Sequence, residues 1–213
     1  MEQQDLNPIM RDLRTAQRLV VAFHQRMLPI IETIGSQLNS SFYYWQPVHH
    51  NAPCRSATSP FKKWKWDFSP LHNTVFHFLS DDIPSPHQLV EGGYMLVIHL
   101  VTDTAVDDAF ESTKKSWNPL DIATGPEQSR SVLRIYVYGA ERDGEQQEGW
   151  WKLYANHDWP MLDTDCVEFE TGGRAFGLEF DIATLGTPEA IQGLIATIKD
   201  QLHSRGYAKF EQE

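Results

Sequence analysis

Apolar residues recur along the front of this chain at Ile9, Leu13, Ala16, Val20, Phe23, Met27, Ile31, Ile34 and Leu38, always three or four positions apart. That spacing draws a single stripe down one face of a helix. Asn7-Pro8 opens it, because Asn can cap free amides and Pro suits the first helical position. Pro29 falls inside the pattern, removes one amide hydrogen bond and crowds the preceding turn, so a kink or break is expected near 27–28. A continuous helix of about 30 residues reaches about 45 Å, longer than a small domain is wide. Such a helix either lies across a whole sheet or projects to meet a partner. Its other face carries Arg11, Arg14, Arg18 and Arg26.

Beyond residue 40 the period changes to two. Residues 41–48, 74–79, 93–102, 131–138, 150–155, 165–170 and 174–181 are rich in aromatic and β-branched side chains and are separated by turn formers. No long helix intervenes, which favours an antiparallel meander over parallel units with crossover helices. A two-residue turn at Gly172-Gly173 would oppose Phe169 to Phe176 and Val167 to Leu178, leaving Glu168, Glu170, Glu179 and Asp181 on the polar face. Residues 94–101 are apolar on both faces and therefore central. Thr187-Pro188-Glu189 caps a second helix striped by Ile191, Leu194, Ile195, Ile198 and Leu202. Residues 103–130 form a long excursion. The expectation is one α+β domain over 1–213, with an N-terminal helical segment (1–40), a sheet region of about six or seven strands (41–185) and a C-terminal helix (186–206). Both helices pack on one face of the sheet, and the other face is partly open.

Composition adds charge asymmetry to this picture. The formal net charge is -11, but residues 1–80 hold 8 Arg and Lys against 5 Asp and Glu, while residues 81–213 hold 10 against 24. A strongly acidic body repels nucleic acid and anionic membranes, so nucleic-acid binding is not expected. No apolar run approaches the roughly 20 residues of a spanning helix. Two cysteines and no charged-then-apolar leader suggest a reducing cytoplasm.

Candidate chemistry is sparse. Nine histidines invite a metal, yet neither a His-Glu-x-x-His helix nor a Cys-x-x-Cys pair is present; the nearest approach is His49, His50 and Cys54 in one polar loop. His77 and His99 each interrupt an apolar strand face, where a buried imidazole needs partners or lines a pocket. Lys62, Lys63 and Lys65 alternate with Trp64 and Trp66, a cationic and aromatic surface that on a strand would equally suit an exposed edge. Trp150 and Trp151 add large aromatics of the kind that anchor interfaces. No phosphate loop, dinucleotide fingerprint or nucleophile elbow is present, and no cofactor is expected. The reading favoured by the residues is a non-enzymatic binding or adaptor protein acting through a protein partner or self-association. The alternative is a small-molecule hydrolase using His77 and His99 or a metal at His49, His50 and Cys54.

Overall fold

The structure, a computed structural model, describes residues 6–49, 51–63, 65–113, 122–144, 149–170 and 172–207. Helix α1 (Asn7–Gln37) runs unbroken through Pro29, so of the kink or break expected near 27–28 the break does not occur. Pro29 and Gln25 are both exposed, which puts the turn that loses an amide hydrogen bond on the solvent side of the helix. The Thr33 hydroxyl bonds the Pro29 carbonyl at 2.7 Å. On the inner face Met27, Ile30, Ile31 and Ile34 are buried and hold the helix to the sheet. The cap position is Leu6, and Asn7 is already helical.

Six strands form one antiparallel sheet: β1 (Ser40–Pro47), β2 (Asn73–Ser80), β3 (Tyr94–Val101), β4 (Val132–Ala140), β5 (Val167–Phe169) and β6 (Gly173–Asp181). Their spatial order is β1-β2-β3-β4-β6-β5, a meander closed by a hairpin whose first strand takes the edge. Strand β3, buried along its whole length, is central as its two apolar faces require. Helix α4 (Pro188–Ser204) joins α1 over one face, where Ile31, Ile34, Ile98, Ile135, Phe176 and Ile198 share a core. Thr187 caps α4 by accepting from the Ala190 amide. Two of the glycines mark close approaches: a Cβ on Gly35 would lie 2.4 Å from the Phe78 ring, and one on Gly139 would meet Tyr207.

Four further expectations differ from the structure. Residues 150–155 are not a strand but helix α3 (Trp150–Ala155), because Trp150, Leu153 and Tyr154 stand at helical spacing and all three are buried. The aromatic composition that suggests a strand serves here to cover one. The second face of the sheet is accordingly closed, with Val75, Met95, Val97, Tyr136 and Tyr138 packed beneath α3. The described residues of 60–72 form no edge strand but three short 3-10 turns (Pro60–Lys62, Lys65–Phe68 and Pro70–His72), pinned where buried Asp67 accepts from the Asn51 amide at 3.0 Å. Finally, the hairpin register pairs Phe169 with Gly173 and Val167 with Ala175. The loop has three residues rather than two; the Gly172 amide bonds the Phe169 carbonyl, and Gly172 takes a positive φ of 80°. Within the 103–130 excursion lies helix α2 (Thr104–Thr113), which also covers the second face.

Candidate functional site

His77 and His99 lie diagonally across the β2–β3 pair, His77 opposite Val97 and His99 opposite Val75. They stand on neighbouring strands, point to the same side of the sheet and are sealed beneath α2, α3 and residue Trp159. A bulge in β1 places Tyr43 between the pairs Phe42–Phe78 and Tyr44–His77. Phe42 therefore packs against Phe78 on the α1 face, while Tyr44 crosses to the other face and stacks on His77 with ring centres 4.2 Å apart. Tyr154 meets the His77 ring edge-on and shares hydrogen bonds with Gln46 and Trp159. Neither nitrogen of His77 meets a hydrogen-bond partner among the described residues. Burial lowers its pKa to about 3, so it is neutral at physiological pH.

His99 sits at the end of a polar relay. Asp107, on α2, accepts from Asn73 Nδ2 at 2.9 Å and from Arg134 at 2.6 Å. His49 Nε2 lies 3.0 Å from the same carboxylate. Asn73 then presents its carbonyl oxygen to His99 Nε2, which fixes the proton on that nitrogen. Arg134 also bonds Glu179 at 3.0 Å, and Arg130 closes on Glu179 from outside at 2.6 Å. The Asp107 pKa is pulled well below the carboxylate range by His49, His99 and Arg134, against the effect of its own burial. Burial takes His99 down to about 3 despite Asp107 nearby. Every charge here has a protein partner, and the relay ties β2, β3, β4, β6 and α2 together. Glu179, expected on an acidic face, is one of its members.

The remaining sequence candidates scatter. Trp150 is 0% exposed and presents nothing to a partner, whereas Trp151 is 41% exposed and touches Tyr44, His77 and Tyr154. Lys63 is half-buried between two 3-10 turns. Lys62, Lys65 and Trp66 lie within those turns, and Trp64 lies outside the described residues. Cys54 donates to the Thr58 carbonyl at 3.8 Å, and His50 also lies outside the described residues. Among the described residues no three His, Cys, Asp or Glu side chains gather as a metal would require.

The exposed feature that sequence reading only half anticipated is the front of α1. Every residue from Leu6 to Ala22 is exposed, so about five turns overhang the body. Ile9, Leu13 and Val20 continue the same face that Met27, Ile31 and Ile34 bury further on, and each is half-exposed. Arg26 anchors the point of departure by bonding the carbonyls of Leu185 and Gly186 at 3.0 and 2.7 Å. Beside the overhang opens a groove of about 670 Å³, walled by Val20 and Phe23 on the helix and by Phe68, Pro70 and Leu71 opposite. A second concavity of about 800 Å³, at the other end of the sheet, is lined by Asp81, Asp82, Glu91 and Tyr94. His77 and His99 line neither.

A family model described as PM0109 matches residues 3–206. The chain belongs to the PM0109 family. Its similarity to the uncharacterized protein PM0109 of Pasteurella multocida (strain Pm70) is 22% identity over 205 residues, covering 94% of this chain and 96% of that protein. No solved structure matches it. The PM0109 match takes in the overhanging turns of α1 as well as the sheet and α4, so the overhang belongs to the family's own extent. No helix among the described residues of this PM0109-family chain is long and apolar enough to cross a membrane.

Proposed function

We propose that this PM0109-family protein is a non-enzymatic binding protein that works through protein contact, with the overhanging half of α1 as its contact element. The observation that carries the reading is the unbroken apolar stripe, buried from Met27 onward and bare from Ile9 to Val20. Half-exposed Ile, Leu and Val side chains in a row leave several hundred Å² of apolar surface in water, the size of patch that marks an interaction site. The interior histidines support the same reading. A general acid or base must reach a substrate proton, and His77 and His99 are covered on every side by aromatic rings or by the relay.

The test uses the full chain in the cells it comes from, with a photo-activatable amino acid at position 13 and a control at exposed Gln192 on α4. Position 13 is expected to give a discrete covalent adduct on illumination and position 192 none. An absence of adduct at position 13, or the same adducts from both positions, overturns the proposal.

A further inference from the structure

The contact reading leaves the occupant of the stripe open, and the geometry points to a second copy of this chain. We infer that two α1 helices cross antiparallel about a two-fold axis near Ala16, so that Ile9 and Leu13 of each enter the groove beside Val20 and Phe23 of the other. The inference rests on the overhang being the contact element.

The stripe is symmetric about Ala16. Ile9 and Leu13 precede Ala16 by seven and three residues, while Val20 and Phe23 follow it by four and seven. An antiparallel pair centred on Ala16 therefore brings stripe against groove twice, once in each direction, as a two-fold interface demands. Ala16 itself has the smallest side chain of the stripe, which allows the axes to approach to about 8 Å at the crossing. The exposed area also suits a second copy. Leu6, Ile9, Met10, Leu13 and Val20 are each between 42% and 57% exposed, and Phe68 across the groove is 49% exposed. With their polar neighbours they offer on the order of 600 Å² per copy, close to the roughly 800 Å² that each partner contributes to a standard interface. The charges of α1 leave that face free. Arg11, Arg14 and Arg18 recur on the helix face opposite the stripe, so pairing buries none of them. An acidic partner seated on those arginines would leave the apolar stripe in water, whereas a second copy covers it. Because the contact is the same patch on both chains, it closes at two and does not propagate.

Sedimentation velocity on the purified full chain at up to about 100 µM reads the outcome directly. The expected species has twice the 24.5 kDa chain mass, and Leu13→Glu with Val20→Glu converts it to monomer without changing the far-UV spectrum, while its melting temperature no longer rises with protein concentration. In a Cys54→Ser, Cys166→Ser background, Ala16→Cys is expected to link two chains on oxidation. A wild-type chain that stays monomeric, or a dimer that survives both glutamates and forms no disulfide through position 16, overturns the second-copy inference. The two proposals fail separately. A monomer whose position 13 still captures a protein of another mass removes the second copy and keeps the contact element; a monomer with no adduct removes both.

Discussion

His77 and His99 behave alike toward protons for one physical reason and differ in everything else. Both imidazoles have pKa values lowered by burial from 6.5 to about 3. Between those limits the unfolded chain takes up protons that the folded chain refuses, so stability is full above pH 6.5 and falls as the pH drops, by up to about 1.4 kcal/mol per unit for each histidine. Asp107, whose folded carboxyl is the more acidic, adds its own loss only below its unfolded value of 3.8. His77 has no hydrogen bond to lose, so His77→Leu should fold and should gain about 2 kcal/mol relative to wild type between pH 7 and pH 4.5. Urea unfolding at the two pH values checks this, and parallel curves for the two proteins would refute it. The sequence does mark both histidines as intruders on apolar faces. It does not reveal the bulge at Tyr43 that stacks Tyr44 on His77, since the aromatic run at 42–45 is compatible with several registers. Nor does it reveal the relay, whose members lie 58 (His49 to Asp107) and 27 (Asp107 to Arg134) residues apart and meet only once the sheet has formed.

At the scale of elements, the long stripe and the period-two strands are legible because each repeats a single geometric rule many times. Short pieces obey no such rule, and α3 shows why: six residues with five aromatic or aliphatic side chains satisfy a strand template and a helix template equally. Loop length decided the hairpin register, since Gly172 takes the positive φ that a three-residue loop needs and Gly173 is the first paired residue of β6. Within α1, Pro29 and Gly35 are both poor helix formers, yet substitution should move stability in opposite directions. Pro29 is exposed and its helix is unbroken, so Pro29→Ala restores the amide bond and is expected to stabilise by about 1–3 kcal/mol. Gly35→Ala gains helix propensity of about 1 kcal/mol but sets its new methyl 2.4 Å from the Phe78 ring, and overpacking of about 1–3 kcal/mol makes the net effect destabilising. Thermal melts of the two single variants read the signs. A destabilised Pro29→Ala would mean that α1 needs the proline's geometry to seat Met27 and Ile31.

The whole molecule combines an acidic body with a helix that is basic on one face and apolar on the other, and salt tells which face makes the contact. Each chain carries a net charge of -11, so two bodies brought together repel. If the arginines of one copy met the acidic surface of the next, added salt would screen that attraction and association would weaken steeply as the Debye length shrinks from about 10 Å at 0.1 M toward about 3 Å at 1 M. The proposed pairing has the opposite dependence. Its attraction comes from Ile9, Leu13, Val20 and Phe23 leaving water, which screening does not touch, while the repulsion between the two acidic bodies is screened away. The dissociation constant should therefore stay level or fall as sodium chloride rises from about 0.05 to 0.5 M, measured by sedimentation equilibrium on the wild-type chain. A rise of tenfold or more over that range would assign the contact to Arg11, Arg14 and Arg18 and would turn the helix over, leaving the apolar stripe without a partner.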